Sequence, residues 1–295
     1  MRLQHIIVAT DFSHRAARAV SRAGMLASEH HATLDLVHVT TALPPGELEQ
    51  ICGKTPEELQ REDLSDIHRS MTQQLQTLRE RFRVDAEPRL LTGKPYAEIP
   101  RLAAERNADL VVIGAHGEHL FYDLFIGATA EKMVQRMTRP LLIVKQMPRG
   151  PYRNLLIPID FSASSALALS VATAYFPEAT VSVLHAYEVL FERTLISAGV
   201  PDAELSQQRQ KVRTEALHRM ATLVHTGRYK PARVALYAQH GHPATVIRAM
   251  TEQLEPDLIM MGKSEQSVLE KLLIGSTTIH VLRELLCDVL IVMPE

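Results

Sequence analysis

Three glycines in the first half of the chain have a spacing that suits the binding of a phosphate group. Gly114 follows an apolar run, two residues separate it from Gly117, and nine more lead to Gly127. Because glycine lacks a Cβ, the chain can turn tightly there and backbone amides can approach an anion closely. Residues 130–137 then have a helical pattern, and a helix N-terminus offers free N–H groups. Glycines after strands also occur simply as turns, so this pattern alone leaves both interpretations open.

Two aspartates, Asp11 and Asp160, directly follow the first apolar run of each half of the chain. In an open parallel sheet, ligands bind outside the carboxyl ends of the strands, where the strand order reverses. The first strand normally lies beside that point, so we expect both carboxylates to border a ligand crevice. Ser13 and Ser162 stand two residues later and are predicted to cap helices, not to act as nucleophiles.

A long internal repeat provides the elements that position these residues. Six blocks of sequence recur in the same order, at offsets of 147 to 149 residues. The paired blocks are 5–13 with 154–162, 36–39 with 183–186, 93–95 with 241–243, 108–114 with 256–262, 126–129 with 274–277, and 140–144 with 288–292. Pro and Gly interrupt the pattern at residues 146–151. The sequence therefore predicts two domains, residues 1–147 and 151–295.

Short, continuous apolar runs occur five times in each half, which is typical of strands buried on both faces of a parallel sheet. The predicted strands are 5–10, 33–39, 87–91, 109–113, 141–145, 155–159, 180–187, 232–238, 257–261 and 289–293. Helical stretches separate them, so each half is predicted to be a doubly wound α/β domain. One helix is expected to begin with Thr55 as its N-cap and Pro56 as its first residue. Its apolar stripe is predicted to face the core; it comprises Leu64, Ile67, Met71, Leu75, Leu78 and Phe82.

At these residues the chain resembles the universal stress protein family. The spacing of Gly114, Gly117 and Gly127 is similar to the G-x2-G-x9-G-(S/T) signature of that family's ATP-binding branch, and the segments around Asp11 and Asp160 are similar to its first-strand ends. The resemblance covers both halves. It implies two tandem domains, each a five-stranded parallel sheet in the order 3-2-1-4-5 flanked by helices. It also implies an internal pseudo-dimer, formed by pairing of the last strand of each domain.

The resemblance also implies which residues would hold ATP or AMP. The aspartate after the first strand and the main chain after the second would contact the adenosine part, while the glycine loop and a hydroxyl residue would hold the phosphates. In the first half the matching residues are Asp11, Val39, Gly114, Gly117, Gly127, Ala128 and Thr129, and in the second half they are Asp160, Ala186, Gly262, Gly275 and Ser276.

Both halves depart from the family's pattern. Ala128 replaces the Ser/Thr after the last glycine, and Thr129 is turned by roughly 100° along a helix, so it is expected to face elsewhere. The lost hydrogen bond to a charged phosphate would weaken binding by about 1.5–3 kcal/mol. In the second half Ser276 is kept, but Glu265 replaces the second glycine and adds like-charge repulsion. We therefore expect nucleotide binding to be weak in the first half and lost in the second.

Composition excludes several other classes of function. The formal net charge is −2, which gives no electrostatic reason to expect a nucleic-acid or membrane partner. No apolar run approaches the roughly 20 residues of a membrane span. The two cysteines, Cys52 and Cys287, fall at non-equivalent places, so a reduced, cytoplasmic protein is predicted. The fourteen histidines form no HExxH motif or Cys/His cluster, so no metal site is predicted.

Three functional hypotheses remain from the sequence. The first is a stress-response module that binds an adenine nucleotide, and a homodimer or an unidentified protein partner is compatible with it. The second is a scaffold of the same fold that has lost nucleotide binding in both halves. The third, a slow ATPase or another enzyme, is disfavoured because the chain has no GxSxG elbow and no complete Walker A motif.

Overall fold

A computed structural model of the chain describes residues 2–40, 56–115, 127–226, 233–263 and 275–293. Within the helix that begins at residue 56, side chains are described from residue 64 onward. The chain divides into two compact units, one formed by Leu3–Pro151 and the other chiefly by Tyr152–Glu295.

The first unit is a parallel sheet with a helix after each of its first four strands. Its elements are β1 (His5–Ala9), α1 (His14–His30), β2 (Thr33–Thr40), α2 (Pro56–Phe82), β3 (Ala86–Thr92), α3 (Pro95–Glu105), β4 (Leu110–Gly114), α4 (Ala128–Arg136) and β5 (Leu141–Val144). The strands pair in parallel in the order β3-β2-β1-β4-β5. This is the order that the resemblance implies.

The second unit repeats this arrangement and adds one short helix. Its elements are β6 (Asn154–Pro158), α5 (Ala163–Tyr175), β7 (Thr180–Tyr187), α6 (Glu192–Ser197), α7 (Asp202–Thr226), β8 (Val234–His240), α8 (Pro243–Leu254), β9 (Leu258–Gly262), α9 (Ser276–Glu284) and β10 (Asp288–Val292). The parallel order is β8-β7-β6-β9-β10. All ten predicted strands are confirmed, with bounds that differ by at most two residues.

The continuous apolar runs of the sequence are the buried central strands. Ile6, Ile7 and Val8 of β1 are completely buried, and so are Val111 and Val112 of the neighbouring β4. Helices cover both faces of such a sheet, so most side chains of a central strand are apolar. The edge strand β3 instead carries several exposed residues. The core therefore surrounds the strands that end at the candidate site.

The predicted stripe of α2 does face the interior. Ile67, Met71 and Leu78 are buried, and Leu78 packs with Phe82 around Gly24 of α1. The predicted N-cap, Thr55, lies outside the described residues. Of the helices in the described ranges, none is both long enough and apolar enough to cross a membrane.

Candidate functional site

The turn after β1 presents Asp11 at the carboxyl edge of the first sheet. Ser13 donates its backbone N–H and its hydroxyl to Asp11 Oδ1, at 3.1 and 2.6 Å. The Ser13 hydroxyl oxygen also accepts the N–H of Ala16 at 3.1 Å, so Ser13 is the N-cap of α1, as predicted. The carboxylate is exposed, and no group in the described part of the chain bonds its second oxygen. Asp11 is thus held in one orientation with an oxygen directed to solvent.

The second unit forms the same turn with one additional hydroxyl. Ser162 donates its backbone N–H to Asp160 Oδ1 at 3.0 Å, and Ser165 donates its hydroxyl to the same oxygen at 2.6 Å. Ala16 occupies the position of Ser165 in the first unit. Burial raises the pKa of Asp160, but the hydrogen bonds from Ser162 and Ser165 outweigh that effect and hold the pKa below its usual value.

Ser165→Ala is expected to raise the pKa of Asp160 toward its ordinary value, because it removes a hydrogen bond to the charged form. A lowered folded-state pKa contributes stability that is present above the unfolded pKa and is lost as the pH falls through the folded pKa. The variant should therefore lose less stability on acidification. A ¹³C NMR titration of the Asp160 carboxyl measures the shift. Ser170→Ala is the control, since the Ser170 hydroxyl donates to the Ala166 carbonyl and should leave Asp160 unchanged; an unchanged pKa in Ser165→Ala would contradict the assignment.

A phenylalanine–histidine pair supports each of these turns. Phe12 and Phe161 both have a backbone φ of +64°, a left-handed conformation that residues other than glycine rarely adopt. Each ring lies against a histidine of the next strand: Phe12 and His38 have centroids 4.4 Å apart, and Phe161 and His185 4.5 Å. The histidines are fixed in turn, with Nδ1 2.8 Å from the Thr10 carbonyl oxygen and 2.9 Å from that of Ile159. His38 and His185 therefore occupy equivalent packing positions in the two units.

The point at which the strand order reverses lies between β1 and β4. Ile6 pairs with Leu110 and Val8 with Val112, so the parallel strands end at one edge of the sheet. This edge carries Asp11 after β1 and Gly114 at the end of β4. Val39, near the end of β2, is half-buried at the same edge. Open parallel sheets bind ligands at this location.

The glycines that end β4 and β9 have a packing role that the sequence argument missed. A Cβ added to Gly114 would lie 3.2 Å from the Arg15 carbonyl oxygen. A Cβ added to Gly262 would lie 2.4 Å from both the carbonyl carbon and the carbonyl oxygen of Ser164. The first turn of α1 therefore lies directly against the end of β4, and the first turn of α5 lies directly against the end of β9. Gly262 is therefore required for helix–sheet packing whether or not a ligand is bound, and a Cβ at Gly114 would force a shift of a few tenths of an ångström.

Each of the two helices that follow the glycine loops has an N-terminus without a side-chain cap. Gly127 is the N-cap of α4, and its N–H donates to the Ala115 carbonyl at 2.9 Å. Ala128 and Thr129 follow it and are exposed. Gly275 is the N-cap of α9 in the same way. In the described part of the chain no side chain caps either helix, so first-turn N–H groups remain available to an anion.

The structure places most of the predicted site residues at the carboxyl edges of the two sheets. In the first unit these are Asp11, Val39, Gly114, Gly127, Ala128 and Thr129, and in the second they are Asp160, Ala186, Gly262, Gly275 and Ser276. Gly117 and Glu265 lie outside the described residues. In the described ranges, no three His, Cys, Asp or Glu side chains come together as a metal site.

A charged cluster at the opposite edge of the first sheet was not predicted. Asp35 of β2 is 2% exposed, and its Oδ2 lies 3.3 Å from His5 Nε2, 3.6 Å from Arg89 Nε and 3.5 Å from Arg106 Nε. It borders a cavity of about 560 Å³. An aspartate inside the apolar run 34–37 was the available signal. The second unit has Ser182 at this position, so the cluster belongs to the first unit alone.

The segment after β7 was also not predicted to be helical. Its helix α6 is fixed by Glu192, whose carboxylate accepts a hydrogen bond from Arg209 Nε at 2.6 Å and lies 2.6 Å from His240 Nε2. Burial raises the pKa of Glu192, but the hydrogen bonds and charges of Arg209 and His240 lower it by more than burial raises it. The pKa of Glu192 therefore lies below its usual value. Leu190 and Phe191, directly before α6, are 81% and 75% exposed.

The duplicated fold and its carboxyl-edge residues define an α/β protein with two tandem doubly wound domains. The Universal stress protein family model matches residues 2–145 and again residues 151–293. The chain therefore belongs to the universal stress protein family, with two family domains in tandem.

Individual relatives match in sequence or in fold. Universal stress protein A homolog 1 of Coxiella burnetii is 29% identical over 145 residues, which are 49% of this chain and 97% of that protein. The crystal structure of a universal stress protein from Archaeoglobus fulgidus matches with a TM-score of 0.67 at 17% identity, and the match covers 99% of each chain. The first relative corresponds to one domain, and the second has the fold of the entire chain.

Proposed function

We propose that the chain is a binding module for an adenine nucleotide, ATP or AMP, and that the first unit holds the better site. One observation carries the proposal. An oriented carboxylate and a helix N-terminus that no described side chain caps lie at the same edge of the sheet, beside the point where the strand order reverses. The Asp11 oxygen directed to solvent accepts hydrogen bonds from the adenosine part. The first-turn amides of α4, after Gly127, bind the phosphates.

The nucleotide acts as a switch or a structural ligand and not as a substrate. Asp11 is the titratable side chain of the proposed site, and its role there is to orient the ligand. Catalysis would also need a general base or a metal positioned at the phosphates. The proposed location is cytoplasmic.

The two sites differ in what they offer a phosphate. In the first unit the helix begins with Ala128, so the phosphates are held by backbone amides without the family's hydroxyl. In the second unit Ser276 supplies that hydroxyl, but the sequence has Glu265 at the position of the family's second glycine. We expect the repulsion between like charges to outweigh one hydrogen bond. The first unit is therefore the proposed site.

A scaffold that binds a protein partner is the second candidate function. It is favoured by the exposed apolar side chains around α6, since Leu190, Phe191 and Ile196 are 81%, 75% and 52% exposed. Apolar side chains that are grouped and exposed mark interaction surfaces in many proteins.

The decisive experiment is to purify the full chain, denature it and identify released small molecules by mass spectrometry. About one adenine nucleotide per chain is expected, and Asp11→Ala should remove it while the matched variant Asp160→Ala should keep it. A bound ligand also raises the melting temperature, with about 2.7 kcal/mol of stabilisation at a concentration of 100 Kd. Loss in Asp160→Ala alone would reverse the ranking of the units. No nucleotide, and no thermal shift with millimolar ATP, would favour the scaffold.

A further inference from the structure

A second pocket lies beside Phe161, at the carboxyl edge of the second sheet. It has a volume of about 310 Å³ and is lined by Phe161, His218, Arg219, Thr222, Leu223 and Thr226. Its size falls at the lower end of the range for small-molecule sites. Among the described residues that line it, two are basic and none is acidic, which favours an anion.

Arg219 is the chemical centre of this pocket. Its Cζ lies 3.9 Å from the centroid of the Phe161 ring, so the guanidinium covers the ring face. A stacked guanidinium keeps its N–H donors at its edge, where they match the two oxygens of a carboxylate or a phosphate. Glu215 stands one turn earlier on α7, in position for a favourable helical ion pair. Within the described ranges Arg219 nevertheless pairs with no carboxylate.

The ring beneath the guanidinium cannot move freely. Phe161 has φ of +64°, and its ring lies 4.5 Å from that of His185. His185 Nδ1 is fixed 2.9 Å from the Ile159 carbonyl oxygen. A guanidinium that rests on a fixed ring is already oriented, so less side-chain entropy is lost when a ligand binds.

The internal repeat shows that the arginine is not required by the fold. The first unit has the same phenylalanine–histidine pair, Phe12 and His38. The long helices α2 and α7 can be aligned on their buried residues Met71 and Met220. In that alignment Ser70 of α2 stands at the position of Arg219 of α7. The turn therefore forms without a cation above it. Arg219 is therefore a feature of the second unit alone.

We infer that this pocket binds a small molecule through its phosphate or carboxylate group, with Arg219 as the principal donor and His218 as the second. No side-chain hydrogen bond or ion pair engages the His218 ring in the described part of the chain. The hydroxyls of Thr222 and Thr226 already donate to backbone carbonyls, at 3.0 and 2.9 Å, and only shape the walls. This site is separate from the nucleotide site proposed in the first unit and does not depend on it.

The test is isothermal titration calorimetry of the full chain with sodium phosphate and with sodium acetate, at constant ionic strength. Saturable binding of one probe is expected. Arg219→Ser, which introduces the residue of the first unit, should weaken it about tenfold or more, because it removes charge-assisted hydrogen bonds. Arg219→Lys should retain part of the affinity, since it keeps the charge and loses the fork.

Arg213→Ser is the matched control, because Arg213 is exposed on the same helix and lies outside the pocket. It should leave binding unchanged. Tighter phosphate binding identifies a phosphorylated ligand, and tighter acetate binding a carboxylate. The inference is overturned if neither anion binds saturably, or if Arg213→Ser weakens binding as much as Arg219→Ser. Circular dichroism of each variant verifies that the fold is intact.

Discussion

Gly262→Ala is expected to lower the free energy of unfolding of the second unit by about 3 kcal/mol, the upper part of the range for overpacking. The added Cβ would lie 2.4 Å from the carbonyl carbon and oxygen of Ser164 and 2.7 Å from its Cβ. Two of these atoms are backbone, so no rotamer change relieves the clash. The first turn of α5 has to move, and it carries the Ser162 and Ser165 contacts to Asp160.

The equivalent substitution in the first unit provides the control. At Gly114 the nearest atom, the Arg15 carbonyl oxygen, is 3.2 Å from an added Cβ, so a shift of a few tenths of an ångström suffices. Gly114→Ala should therefore cost about 1 kcal/mol. Urea denaturation with hydrogen exchange of β4 and β9 amides assigns each effect to its unit. Equal losses in the two variants would show that the contact at Ser164 does not determine the requirement for glycine.

The strands were predictable from the sequence because both faces of each central strand are covered. Burial of every side chain makes a run such as Ile6–Val8 continuously apolar, and the duplication presents each run twice. The short helix α6 was not predictable in the same way. None of its residues is buried, so it has no apolar period. Its position depends on the pairing of Glu192 with Arg209 and His240, which lie in other elements.

The candidate site was predictable only in part. Asp11 and Gly127 could be proposed because a carboxylate after a first strand and a glycine before a helix are local features of the sequence. The packing requirement at Gly262 was not visible, since it depends on the distance to Ser164 in another element. The stacking of Arg219 on Phe161 was missed for the same reason. Contacts between distant segments leave no periodic trace in either segment.

Asp35→Ala is expected to lower the free energy of unfolding of the first unit by about 3–5 kcal/mol, the range for breaking a buried ion pair from one side. The Asp35 side chain is 3% exposed and faces three basic groups at 3.3–3.6 Å. Its removal leaves Arg89, whose side chain is 31% exposed, with the exposed Glu87 as its remaining carboxylate partner among the described residues. Asp85→Ala is the control at the same cavity, because that side chain is 83% exposed and should change stability by less than about 0.5 kcal/mol.

The double variant Asp35→Leu, Arg89→Leu separates the penalty of an unpaired charge from the value of the cluster itself. Among the described residues neither Asp35 Oδ2 nor Arg89 Nε has a hydrogen-bond partner, so these atoms contribute through Coulomb attraction. Arg106 is 42% exposed and can turn into solvent, whereas the less exposed Arg89 keeps Glu87 as its remaining carboxylate partner when Asp35 is lost. Replacing both members of such a pair by apolar residues is often neutral. Urea denaturation should show the double variant recovering most of the stability that Asp35→Ala loses, whereas additive losses would mean that Asp35 stabilises the fold through His5 and Arg106.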